Sequence, residues 1–259
     1  MQRIFLVGCP RSGTTIFQSL LAAHPEIMSF PETKIFQYTL WGKFTDRLPE
    51  RLSQLFNNEI QRPEILEEFD ENKGTATTIR WFLDVLDKLA LEKSKHIWLE
   101  KTPEHIFFIR DILLYLPDSK FIHVTRNGLD TIASMYKATR MPQNELWGGE
   151  WSLEYCIERW KICNSITQSH ANNPQHLVVK YEDLLADKVV ILKACCKFTG
   201  IKYDDAIFTN YKSEALKLRL NMPWHDGIDR EIEAPAIPKY KQIFQQSEIE
   251  YILEKLKIC

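Results

Sequence analysis

The residues with the means to do chemistry lie at three separate places in the 259-residue chain. The first is Gly8-Cys-Pro-Arg-Ser-Gly-Thr-Thr15, where two glycines flank an arginine directly ahead of a helical pattern. Glycine permits turns closed to other residues, and the first amides of a helix have no partner inside it, so such a loop is an anion cradle. Arg11 adds a guanidinium able to fork across phosphate or sulfate oxygens. The Gly8-to-Gly13 spacing matches the phosphate loop of nucleoside triphosphatases, but Thr14 stands where that loop requires lysine. The second place is Glu100-Lys-Thr-Pro103 and the third is Arg126-Asn-Gly-Leu-Asp130, each at the end of an apolar run. A kinase-like enzyme typically needs a magnesium-holding carboxylate at such a strand end. Thr125 and Arg126 stand there instead, and a cation suits an anionic group on a ligand.

These residues need a scaffold that brings them to one edge. Arg3 to Val7, Ile97 to Leu99, Lys120 to Thr125 and His176 to Lys180 are short apolar runs of the kind that form buried strands, and Met28 to Phe30 adds a shorter one. Helical spacing follows most of them: Ile16, Leu20 and Ala23; then Ile106, Ile109, Leu113 and Leu116; then the turn from Arg126 into a helix through Ser134. Tyr38 to Lys95 is mostly helical in pattern, with segments at Arg62–Phe69 and Thr78–Leu86 and one stripe of Ile79, Phe82, Val85, Leu86 and Leu89. Asp187 is positioned to cap a helix that turns Val190, Ile191, Ala194, Cys195 and Phe198 inward and closes at Gly200. Strand and helix in alternation predict an α/β fold: a mainly parallel central sheet with helices on both faces, its chemistry at the carboxyl ends of the strands. With no repeat, low-complexity tract or flexible linker, residues 1–259 are expected to form one domain.

Gly8 to Thr15, continued by Ala23-His-Pro25 and Pro31-Glu-Thr33, resembles the 5'-phosphosulfate loop of sulfotransferases that use 3'-phosphoadenylyl sulfate (PAPS). The likeness is greatest to the branch containing tyrosylprotein and bacterial carbohydrate sulfotransferases. It covers residues 3–34 and 97–200 and implies the P-loop-like sulfotransferase fold. The implied reaction moves a sulfonyl group from PAPS to an acceptor hydroxyl or amine, leaves adenosine 3',5'-bisphosphate (PAP) and needs no metal. The resemblance puts the general base at Glu32, which by residue type alone is better explained as a capping or solvated glutamate. It puts Lys101 near the bridging oxygen of the donor, with Arg11 and the loop amides of Ser12, Gly13, Thr14 and Thr15 on the departing phosphate. Arg126 and Ser134 resemble the pair that grips the 3'-phosphate, although Arg126 also suits an ion pair with Asp130. Lys239 and Lys241 fall where family members contribute cations to the nucleotide. Cytosolic hormone and phenol sulfotransferases carry a histidine base two residues beyond this lysine; Pro103 stands there, which favours Glu32 and leaves His105 as second choice.

A net charge of -2 and a pI near 6.4 argue against a general nucleic-acid binder, and no apolar run reaches the length of a membrane span. The first strand starts at Arg3, so a signal peptide is not expected and the cytoplasm is the simplest location. Six cysteines form no CxxC pair and fit core packing, with Cys9 set apart by its place in the loop. Tyr181 and Asp183 are expected to be structural, in a strand-end turn over Tyr181–Leu185, Met141–Trp151 to be a mobile connection able to close over substrate, and Ser247–Lys257 to be a docking helix. Trp224-His-Asp-Gly227 lies in the region that aligns least. The acceptor stays open among glycan, small molecule, lipid and peptide tyrosine. The rival readings are a non-catalytic PAPS- or nucleotide-binding protein and, less well supported, a P-loop kinase.

Overall fold

A computed structural model describes residues 1–142, 147–205, 211–214, 217 and 237–257. The apolar runs form strands β1 (Gln2–Gly8), β2 (Ile27–Phe30), β3 (Ile97–Lys101), β4 (Lys120–Thr125) and β5 (His176–Lys180). All neighbouring pairs are parallel, in the order β2-β3-β1-β4-β5. Between them run α1 (Thr14–Ala22), α2 (Ile35–Leu40), α3 (Gly42–Thr45), α4 (Leu48–Ser53), α5 (Thr75–Glu92), α6 (Ile109–Tyr115), α7 (Gly128–Ala138), α8 (Leu153–Ser169), α9 (Tyr181–Ala186) and α10 (Lys188–Thr199).

A parallel sheet covered on both faces needs apolar residues at successive positions, which is why β1 shows no polar alternation. Phe5 and Val7 face one core with Trp98 and Phe121, under α2, α5, α6, α7 and α8. Ile4 and Leu6 face the other with Leu99, Ile122 and Val124, under α1 and α10. The expected stripe of α5 is buried throughout, as are Cys156, Cys163 and Cys195, all free thiols. A C-terminal helix, Gln246–Leu256, starts with a Gln245/Glu248 capping box and docks on α7 and α8 through Ile249 and Ile252. No helix among the described residues is long and apolar enough to cross a membrane.

Three local expectations are corrected. The Arg62–Phe69 pattern forms only a six-residue 3-10 helix, Pro63–Glu68, a segment too short to support a stable α-helix. Tyr181–Leu185 is a short helix rather than a strand-end turn, with Glu182 and Asp183 in the first turn where negative charge favours helix. Asp187 does cap α10, accepting from the Val190 amide at 3.0 Å, and Gly200 closes it at φ 79°. Its buried face, however, is Leu192, Cys195, Cys196 and Thr199, and Val190 is 58% exposed. The stripe lies one residue round from the expected one, about 100° of rotation. Both stripes are apolar, and only packing against the sheet chooses.

Three histidines cluster where α8 packs against β4 and β5. His123 Nε2 lies 2.9 Å from His176 Nδ1, and His123 Nδ1 lies 3.2 Å from the Thr167 hydroxyl. The His176 ring stacks on His170 at 4.3 Å and on Phe121 at 4.7 Å. Burial, then the neighbouring imidazoles, pushes His123 down to about 3 and His176 down to about 4. Both lie below the unfolded value of about 6.5, so the stability from these neutral rings is complete above that pH and is lost as pH falls below it. Urea unfolding should therefore show stability falling between pH 7 and pH 5, with His123 alone accounting for about 2 kcal/mol. The His123→Gln variant should flatten that slope; a wild-type profile without it would show that the cluster is not held neutral.

Candidate active site

The loop after β1 is shaped by two close approaches. A Cβ on Gly8 would stand 2.4 Å from the Val124 carbonyl oxygen, and one on Gly13 would stand 2.4 Å from the Tyr181 ring. Arg11 (φ 71°) and Gly13 (φ 99°) both adopt left-handed backbone, which in a non-glycine residue costs energy and concentrates at functional sites. The first bonds of α1 run from the Ile16 and Phe17 amides to the Gly13 carbonyl, leaving the Gly13, Thr14 and Thr15 amides outside the helix's own bonds. Ser12 departs from expectation: its amide donates to the Cys9 carbonyl at 3.1 Å, and its side chain is buried beneath the loop. Cys9 turns inward, 3.8 Å from the Met135 sulfur, and burial followed by Cys163 pushes its thiol well up, which keeps it un-ionised.

This loop opens into a cleft of about 1510 Å³ at the carboxyl ends of the strands, where the order reverses on either side of β1. On one side, Arg11 Nε and Lys239 Nζ both donate to Ser134 Oγ, at 3.3 and 3.1 Å. Arg126 joins them, its guanidinium 4.7 Å from the Tyr181 ring centre and 3.7 Å from Asp130, its Nε buried without a hydrogen-bond partner among the described residues. The Tyr240 amide donates to Asp130 Oδ1 at 3.2 Å and thereby docks the segment that carries Lys239. Burial, then Arg126, pushes Arg11 down; burial, then Arg11 and Arg126, pushes Lys239 down to about 8. Lys241 is exposed and does not line the cleft, because residues two apart in the 3-10 helix Lys239–Gln242 point to different sides. Tyr181, expected to be purely structural, lines the cleft between Gly13 and Arg126.

Opposite, β3 ends at Lys101, only 1% exposed. Its ammonium donates to Glu32 Oε1 and to Thr15 Oγ1, the latter at 3.3 Å. Lys34 approaches the other Glu32 oxygen at 3.9 Å. Glu32, Lys101 and the loop, apart in sequence, are thus in contact. His105 is fully buried among the Phe5, Phe36 and Phe108 rings and does not reach the cleft, so it has no access to an acceptor proton.

Two positioning groups escaped the sequence reading. Arg51 on α4, in a buried ion pair with Glu59 at 2.5 Å, donates to the Glu32 and Thr33 carbonyls. Glu100 is a buried carboxylate bonded to Thr33 and Thr102. A charged residue inside an otherwise apolar strand was a usable signal for Glu100; nothing in the sequence marked Arg51. The rest of the cleft mixes charged side chains such as Lys43, Arg47 and Arg159 with aromatic ones, Trp151 packing edge-on to Trp147 and Tyr155 at 5.3 and 4.9 Å and Trp41 also lining it. Trp147 and Trp151 belong to the segment expected to cover substrate; residues 143–146 of it, and Trp224 to Gly227, lie outside the described residues.

A family model described as "Sulfotransferase family" matches residues 3–205. The chain is 26% identical over 216 residues to protein-tyrosine sulfotransferase 2 of Gallus gallus, which takes in 80% of this chain and 53% of that protein. Among solved structures, the sulfotransferase domain from the curacin biosynthetic pathway superposes with a TM-score of 0.63 at 20% identity, covering 99% of this chain and 97% of that one. A mouse sulfotransferase complexed with PAP gives 0.59 at 15% identity, covering 98% and 82%. These structural likenesses show a shared fold. The chain spans between 27% and 55% of the length of the curated relatives it matches here. The family match takes in every strand of the sheet as well as the residues of the loop, and the chain belongs to the sulfotransferase family.

Proposed function

We propose that this chain transfers the sulfonyl group of PAPS to an acceptor hydroxyl or amine, with Glu32 as general base. One observation carries the reading: Arg11 and Lys239 converge on Ser134 beside Arg126, a crowd of cations and a hydroxyl that only an anion can neutralise. The Arg126 Nε, buried without a hydrogen-bond partner among the described residues, fits the same ligand. A structural neighbour complexed with PAP supports the choice of nucleotide.

The donor, when bound, supplies a sulfonyl group activated by a phosphate leaving group. Arg126, Ser134 and Lys239 hold the 3'-phosphate. The Gly13 to Thr15 amides, Arg11 and Lys101 neutralise the charge that develops on the 5'-phosphate side, the term expected to dominate catalysis. Lys101 touches both Thr15 and Glu32 and so spans from the phosphate loop to the base. Glu32 accepts the acceptor proton, and the aromatic wall of Trp41, Trp151 and Tyr155 seats the acceptor, whether glycan, small molecule, lipid or peptide tyrosine.

The assay follows radiolabelled sulfonyl from PAPS into mixtures of glycans, phenols and peptides. Glu32→Gln should lower transfer by about 10²- to 10⁴-fold while leaving PAP affinity unchanged. Binding of PAPS with no transfer by the wild type to any acceptor would make the chain a nucleotide-binding protein instead. Arg126→Ala should weaken PAP by about 2 kcal/mol and adenosine 5'-phosphate little; an equal loss for both would remove the 3'-phosphate assignment. PAP affinity should also fall as pH rises through about 8, where Lys239 loses its proton. Titration calorimetry of Lys239→Met should show a weaker, flatter profile, and an unchanged one would exclude Lys239 from the site.

A further inference from the structure

Glu100 is the penultimate residue of β3 and is 1% exposed. A carboxylate buried to that degree needs several donors. Its Oε1 accepts from the Thr33 amide at 3.0 Å, the Thr33 hydroxyl at 2.9 Å and the Thr102 hydroxyl at 2.6 Å. Its Oε2 meets His105 Nδ1 at 2.9 Å. The Thr102 hydroxyl in turn accepts from the Lys34 amide at 3.1 Å. Burial opposes ionisation, but the charge and hydrogen bond of His105, with the Thr102 and Thr33 bonds, hold this carboxyl below the usual carboxylate range.

The order of these partners along the chain carries the argument. Thr33 and Lys34 directly follow Glu32, and Thr102 directly follows Lys101. One side chain therefore fastens the backbone immediately after both members of the Glu32–Lys101 pair. Successive residues of a strand point to opposite faces, so Lys101 turns to Glu32 and Thr15, which line the cleft, while Glu100 turns away from it. Arg51 closes the loop from the other side through the Glu32 and Thr33 carbonyls. Lys34 holds a left-handed backbone at φ 57°, a conformation that persists only where surrounding bonds impose it.

We propose that Glu100 is a positioning residue for sulfonyl transfer: its hydrogen bonds lock the Glu32 loop to the Lys101 turn and keep base and lysine in contact, while His105 fixes the orientation of the carboxylate. His105 thereby has a role that involves no proton transfer to substrate. The consequence for catalysis rests on the roles given above to Glu32 and Lys101; the geometric lock does not.

The first readout needs no turnover. Lysines are labelled competitively with acetic anhydride and quantified by mass spectrometry, with exposed Lys88 as internal reference. Lys101 should label slowly in the wild type and several-fold faster in Glu100→Gln, approaching the rate in Glu32→Gln, which severs the pair directly. Thr102→Val removes two bonds, to Glu100 and from the Lys34 amide, and keeps the carboxylate and His105, so it should show a rise of its own. If Glu100→Gln does not fold, Thr102→Val decides. The two substitutions should be non-additive, because they break one network. Affinity for adenosine 3'-phosphate, which lacks the 5'-phosphate given to Lys101, should be unchanged in both variants. In the transfer assay, kcat should fall about 10- to 100-fold, more than KM for PAPS changes, and the acidic limb of the pH profile should move. Unchanged Lys101 labelling in folded variants overturns the proposal, as does a loss of adenosine 3'-phosphate affinity that parallels a fall in melting temperature. Faster labelling in a protein that transfers nothing would leave the lock standing and remove the catalytic reading alone.

Discussion

Lys101 ends the β3 strand with its ammonium withdrawn from water, and the surrounding arrangement follows from what such burial demands. Removing a charge from solvent costs several kcal/mol unless a partner and further hydrogen bonds replace the water. Glu32 is that partner, and the Thr15 hydroxyl completes the shell. The two come from loops after different strands, so satisfying one ammonium ties three strand ends together. Parallel register makes this possible: Leu6 lies beside Lys101 and Phe30 beside Glu100, which sets the ends of β1, β2 and β3 level.

The other side of the cleft is the reverse case. Arg11 and Lys239 share a single hydroxyl beside Arg126, a crowding of like charge that opposes folding and that Asp130, Glu32 and the Tyr181 ring partly offset. Left-handed backbone at Arg11 adds to the cost. The two apolar cores on either face of the sheet supply the stability that lets such a site persist. Local conflict inside an otherwise consistent fold is the expected mark of a binding site.

Much of this was legible because it is local. Gly8, Gly13 and Arg11 sit within one short segment, and the apolar runs on either side declare strand and helix by their spacing. Lys101 and Arg126 follow apolar runs, so their place at the carboxyl edge of a sheet also followed. The assignments that failed share a cause. Val190 belongs to one of two adjacent apolar stripes on α10, and a stripe shows amphipathicity without saying which edge meets the core. Lys241 and Lys239 are equally basic, and only docking of the Tyr240 amide on Asp130 distinguishes them. Ser12 lies in the right loop, but its amide is spent on the Cys9 carbonyl.

The sequence by itself determined the α/β class, the glycine-flanked loop ahead of α1 and the identity of the charged groups at the strand ends, because each depends on residue type and spacing over a few turns of chain. Only the tertiary structure decided that Glu32 touches Lys101, that Lys239 joins Arg11 on Ser134, and that Glu100 and Arg51 hold the loop from two sides. Those contacts join residues tens to more than a hundred positions apart. A buried charge is satisfied by whatever the fold brings near it, and spacing along the chain carries no record of that.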